Sequence, residues 1–251
     1  MSIEKPGTTR SVPLSRRWMA DLMYLCRNRP LITFTRRMHL GEAKTARDAL
    51  ASRPSWSLMF LKAWALVAVE HPSLRTAWMT FPWNRIYTHG RSVGSLAIER
   101  DYEGEKAVFF VLMHGPETMP LIDLEARLRK HLSEPVWKSG TARRMIRVSR
   151  WPQWIRRLIW WQVDSMSGYD RARNLGTFGL SATASLGANA LHLLSPLATA
   201  LHYGTLERDG SIDVRITFDH RLLDGAEIAR FMVELEREMN TTIAEELRRM
   251  G

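Results

Sequence analysis

Apolar positions recur along this chain with two spacings. From Val214 to Phe218 the run is short and β-branched, the signature of a strand. From Ala226 onward Ile228, Phe231, Met232, Leu235 and Met239 return every three or four positions, the signature of an amphipathic helix. Between the two runs stand His220, Asp224 and Gly225. The imidazole therefore falls on a strand-to-helix corner with a regular element on each side. His acts as a general base near neutral pH, an Asp one turn away can brace the loop, and Gly permits a turn that a side chain would obstruct.

The same reading predicts the remaining elements. Ser15 caps a helix to about Cys26, with Trp18, Leu22 and Leu25 along one side, and Leu31 to Arg37 alternates as a strand. A short helix spans Glu42 to Ala51. A stronger one runs from Trp56 to His71, capped by Ser55, with Trp56, Phe60, Ala63, Trp64, Val67 and Ala68 on its apolar face. Strands follow at Arg85–His89, Ser92–Glu99 and Lys106–Met113, then a helix opened by Pro120 with its leucines inward. Asn174–Ser181 and Leu197–Leu206 read as strands, a hairpin turns at Asp209-Gly210, and the last helix reaches about Met250. These elements predict one α/β domain over residues 15–251, a mixed and largely antiparallel sheet covered by helices, with residues 1–14 as a loose arm.

The stretch MIRVSRWPQWIRRLIWWQV, within about 141–168, carries four tryptophans among its arginines. Its pattern places Trp154, Ile155, Leu158, Ile159, Trp161 and Val163 on one helix face, opposite Arg156, Arg157 and Gln162. Such a helix packs on the domain, lines a subunit contact, or lies in a membrane interface, where Trp and Arg are both favoured.

Composition narrows the partners. The chain has 251 residues, 45% hydrophobic and 25% charged, an ordinary globular mix. A single cysteine, Cys26, rules out an internal disulfide framework and fits a reducing, cytoplasmic setting. The N-terminus lacks an apolar core before its arginines, so no secretory signal is expected. A net charge of +10 favours anionic partners such as phosphate-bearing cofactors or anionic lipid. No nucleic-acid-binding signature, metal-ligand spacing, Gly-x-Ser-x-Gly elbow or phosphate loop is found.

The corner wording DHRLLDGA resembles the His-x-x-x-Asp-Gly motif of the chloramphenicol acetyltransferase superfamily, and most of all the acyltransferase catalytic domain of 2-oxoacid dehydrogenase complexes. RRWMADLMYLCRNRPLITFTRR, SLMFLKAWALVAVEHPSLRTAW and NLGTFGLS are similar to further stretches of that family. Other members carry a second His where this chain has Asp219. The resemblance implies a trimer with active sites between subunits, and a coenzyme A thioester as co-substrate, with no metal. By it His220 is the base, and Ser181 donates to the oxyanion of the neighbouring chain's site. Thr183 and Ser185 are substitutes if the register slips. Arg16, or its neighbour Arg17, pairs with Asp224 to brace the corner, and Thr199 lies near the coenzyme path.

Three readings stay open: a free-standing coenzyme A-dependent acyltransferase for a small molecule or lipid, a dihydrolipoamide acyltransferase core served by lipoyl domains in trans, and a membrane-associated scaffold. The lack of a lipoyl domain, a partner-binding domain and an Ala-Pro linker in this sequence favours the first, with a cytoplasmic location that includes the inner membrane face.

Overall fold

In the computed structural model, which describes residues 7–183 and 187–251, a six-stranded sheet organises the described residues. Its strands lie in the order β1 (Leu31–His39), β8 (Ser211–Asp219), β7 (Thr199–Tyr203), β6 (Phe178–Leu180), β4 (Val93–Tyr102) and β5 (Glu105–His114). Pairing is antiparallel except on the two sides of β6, which runs parallel to β4 and β7. A separate ribbon joins β2 (Thr76–Met79) to β3 (Arg85–Thr88). The predicted fold class holds: a mixed α/β arrangement with a mostly antiparallel sheet.

One face of the sheet is buried under α2 (Gly41–Asp48), α3 (Trp56–Glu70), α4 (Leu121–Ser133), α8 (Gly225–Glu238) and α9 (Ala244–Arg248). Ile216, Val214, Leu201, Leu180 and Leu96 point into this core, with Phe60, Trp64 and Leu235 set against them. The one-sided α3 expected from its pattern is instead buried almost all round, and its Lys62 reaches Glu246 as an ion pair. A helix hydrophobic on every side belongs in the middle of a core. Ser55 caps it as expected, accepting from the Leu58 amide.

The opposite face carries α1 (Leu14–Cys26), with α5 (Gly140–Ser149) and α6 (Gln153–Ser165) packed beside it. Here Trp18 meets Phe110 edge-on at 6.2 Å and Trp160 at 4.5 Å between ring centroids. α1 begins one residue before the predicted cap, and Ser15 is buried inside it instead of capping it. Of the predicted arm, residues 1–6 lie outside the described residues, and 7–13 have no regular structure.

Two expectations change. The stretch read as a strand from Asn174 divides into α7 (Gly168–Leu175), capped by the Ser167 hydroxyl, and the short β6. The Trp/Arg helix α6 is turned from the predicted orientation. Arg156 faces inward and Trp154, Leu158 and Trp161 face out, while Trp160 is buried. The cause is Asp21 of α1, buried on the inner side and gripped by Arg156 through two bonds of 2.7 and 3.2 Å. An ionised carboxylate so placed needs a guanidinium fork more than the interior needs another indole.

Candidate active site

β8 ends at Asp219, and His220 follows directly, its amide held by the Pro30 carbonyl at 3.0 Å. The His220 Nδ1 lies 3.0 Å from the Leu223 carbonyl oxygen. A carbonyl only accepts, so in the neutral imidazole Nδ1 carries the hydrogen and Nε2 keeps its lone pair. The ring is about half exposed, with one edge against Phe218. Asp224 sits 3.7 Å from Nδ1 and is largely exposed, and its own amide donates to Glu227 Oε2 at the start of α8. Gly225 matters here for close packing and not for an unusual turn. A Cβ at this position would meet the ring of Phe34 at 2.6 Å.

Beneath the corner runs a buried chain of charges. Arg221 grips Asp219 with bonds of 2.9 and 2.5 Å, and Arg29 approaches the same carboxylate at 3.5 Å. Arg29 also holds Asp164 of α6 at 2.6 Å, and Arg171 of α7 donates to Asp164 at 3.0 Å and to the Pro196 carbonyl. Burial alone would raise the Asp219 carboxyl; the bonds and charge of Arg221, with Arg29 behind it, outweigh that and hold it below the ordinary carboxylate range. Burial pulls Arg171 the other way, below its usual value, against Asp164. The corner is braced by this network. Arg16, expected to do so through Asp224, lies exposed beside Glu99 and Lys106 at the β4–β5 edge. Four strand spacings separate β5 from β8, on the order of 19 Å. Arg17 is no substitute, since its side chain bonds the Val12 carbonyl.

Ser181 lies at the other end of the sheet. It follows β6, its amide bonds the Leu201 carbonyl, and Leu180, Leu201 and Ile216 form one row across the strands. Ser181 therefore stands five residues back along β8 and two strands away from His220, on the order of 15–20 Å. One chain does not bring the pair together. The Ser181 carbonyl accepts from Nδ1 of His202 at 2.8 Å, and Nε2 of His202 accepts the Ala190 amide at 3.1 Å. His202 is buried, burial holds its imidazole below the usual value, and both nitrogens are spent on fixing the Ser181 loop. Ser181 borders an apolar cleft of about 240 Å³ between α1 and the sheet, lined by Trp18, Leu22, Met145, Leu197 and Ala200.

The other predicted residues divide. Thr199 is fully buried, and its hydroxyl accepts from the Trp64 indole at 3.1 Å, so it faces no open path to a ligand. Thr183 spends its hydroxyl on the Ala188 carbonyl, and Ser185 lies outside the described residues. Sequence reasoning missed Arg29, Asp164, Arg171 and His202. The one local signal was Asp219 itself, an acid at the end of an apolar strand: a buried acid beside the base demands cations.

No protein-family model matches the chain, and no curated protein does. Among solved structures, a probable dihydrolipoamide acetyltransferase from Listeria monocytogenes is 16% identical with a TM-score of 0.66, covering 96% of this chain and 95% of that one. The dihydrolipoamide acetyltransferase of Azotobacter vinelandii, in whose catalytic mechanism a serine, a histidine and an asparagine four positions after it have been investigated, is 17% identical. Its TM-score is 0.66, with 97% of this chain and 99% of that one covered. A chloramphenicol acetyltransferase is 18% identical with a TM-score of 0.52, over 88% of this chain and 94% of that one. The chain thus has the fold of the chloramphenicol acetyltransferase-like acyltransferases, shared by dihydrolipoamide acetyltransferase catalytic cores.

Proposed function

We propose that the protein is an acyltransferase, moving an acyl group from a coenzyme A thioester to a hydroxyl, amine or thiol acceptor between subunits of a homotrimer. The observation that carries this reading is the tautomer imposed on His220: with Nδ1 tied to the Leu223 carbonyl, the free lone pair of Nε2 is presented at a half-exposed corner. The comparisons lend support through the shared fold and through the Azotobacter enzyme, whose histidine and asparagine have the spacing of His220 and Asp224.

In the reaction, Nε2 takes the proton from the acceptor as its oxygen, nitrogen or sulfur bonds to the thioester carbon. The carbonyl becomes an oxyanion, which the Ser181 hydroxyl of a neighbouring copy stabilises. When the tetrahedral carbon collapses, the carbon–sulfur bond breaks and the thiolate recovers the proton from Nε2. General base action of this kind is worth about 10²–10⁴ in rate, and one oxyanion donor about 10²–10³. Thiol release from a panel of acyl-CoA thioesters with added acceptors tests the reading. His220→Ala should lose the rate by that factor while keeping its melting curve, and wild-type rates in the folded variant would remove the assignment.

A second reading, a core that takes acyl groups from lipoyl domains in trans, is favoured by the fuller likeness to dihydrolipoamide acetyltransferases than to chloramphenicol acetyltransferase. Dihydrolipoamide in the acceptor panel separates the two. No helix of the described residues is long and apolar enough to cross a membrane. Outward-facing Trp154, Leu158 and Trp161 support a peripheral contact, and with it a lipid acceptor.

A further inference from the structure

A second cleft, of about 730 Å³, opens at the same end of the sheet as His220 but at its far strands. The register fixes that placement. Phe218, Thr199, Phe178, Gly94 and Met113 are successive partners across the sheet. Val93 and His114, one step beyond this row, therefore leave the sheet at the end where β8 delivers His220. Three strand spacings separate β8 from β4, about 14 Å.

The cleft draws its charge from three elements: Arg91 from the loop before β4, Arg144 from α5 and Arg173 from α7. Around the His220 corner and under α6, Arg29, Arg156, Arg171 and Arg221 are each tied to a carboxylate. Here no carboxylate lines the cleft, and among the described residues none of the three cations forms an ion pair; Arg144 bonds only the neutral Asn174 amide oxygen at 2.8 Å. The mutual repulsion is visible in the neighbours. Burial, then the charge of Arg91, holds His89 and His114 below the ordinary histidine value, and burial, then Arg173, lowers Arg144 from the usual arginine value. The remaining wall is aromatic. The Tyr87 hydroxyl lies 3.0 Å from His89 Nδ1, and the His89 and Tyr169 rings stand 6.0 Å apart.

We propose that this cleft binds a phosphate-bearing anion attached to a flat aromatic ring, a nucleotide-type ligand. The guanidinium forks of Arg91, Arg144 and Arg173 take the phosphate oxygens, and Tyr87, His89 and Tyr169 offer ring surface to the base. That chemistry has two sources, the phosphoadenosine end of coenzyme A or a free nucleotide. The first rests on the acyl-transfer reading; the cleft itself does not.

Calorimetry on the full chain with coenzyme A, adenosine 3′,5′-bisphosphate, ADP and inorganic pyrophosphate tests this. The wild type should bind the ring-bearing phosphates more tightly than pyrophosphate. Arg91→Gln with Arg173→Gln, both at exposed positions, should weaken them about tenfold or more per arginine with an unchanged melting curve. Coenzyme A and the bisphosphate competing, with ADP much weaker, identifies the coenzyme; ADP binding as well as coenzyme A identifies a free nucleotide. No binding of any of the four at low salt, or full affinity in the folded double variant, overturns the proposal. Should the double variant not fold, Arg173→Gln alone must show the loss, and full affinity there overturns it equally. Binding is also measured on His220→Ala. Retained binding there, with acyl transfer absent from the wild type, would sink the catalytic reading and leave this one standing.

Discussion

His202 holds the Ser181 loop with two neutral-ring bonds, and that arrangement ties stability to pH. Its folded-state pKa lies below the ordinary histidine value of about 6.5, because burial first and Arg215 second disfavour the charged ring, against the bond to Ser181. The unfolded chain therefore binds the proton first, so stability is full above about pH 6.5 and falls as pH drops below it. His89, His114 and His131 are shifted the same way and add to the slope. Melting temperatures measured from pH 8 to 5 should decline in that lower window, and less steeply in His202→Gln; identical slopes would exclude His202 as a contributor. Cys26 offers a second residue-level check. Burial pushes its thiol up to about 12, against the pull of nearby Arg29. Iodoacetamide at pH 8 should leave it unmodified in the native protein and alkylate it in denaturant. Rapid native labelling would mean that α1 opens readily.

At the scale of elements, how much the sequence reveals depends on the distance between partners. The strand and helix around His220 were readable because their determinants lie within one stretch of chain. So was α3, with its Ser55 cap. α6 was not, because the residue that turns it, Asp21, lies 135 positions from Arg156. Arg29 and Asp164 are equally remote from each other, so the network bracing the corner has no local signature either. The orientation of α6 sharpens the membrane question. Trp154→Ser with Trp161→Ser should reduce flotation with anionic vesicles at low salt while leaving the melting curve nearly intact. Trp160→Ser, which opens a hole against Trp18, should lower melting temperature and leave any flotation of the folded fraction unchanged. Absent wild-type flotation would remove the membrane contact.

For the whole molecule, the separation of His220 from Ser181 makes assembly the deciding property. If the two residues work together they do so across copies, so inactive His220→Ala and Ser181→Ala proteins should complement each other. After subunit exchange at equal amounts, random assortment in a trimer leaves about a quarter of the interfaces intact, and transfer should recover towards that share of the wild-type rate. An active species that is monodisperse and monomeric by light scattering would end the cross-subunit reading. Recovery of transfer would assign His202, which sits behind Ser181, and Leu223, which sits behind His220, to different halves of one composite site.

The buried charges under the corner also constrain how this chain can change over evolutionary time. Exchanging Asp219 alone for His would strand the guanidinium groups of Arg221 and Arg29 beside an uncharged ring, with Arg29 still fastened to Asp164. Breaking a buried pair from one side costs about 3–5 kcal/mol, a large part of a domain's net stability. A lineage that loses this acid must release its arginines before it replaces it. The order of mutations is thereby set by electrostatics, and the reverse order leads through chains that have given up much of their stability.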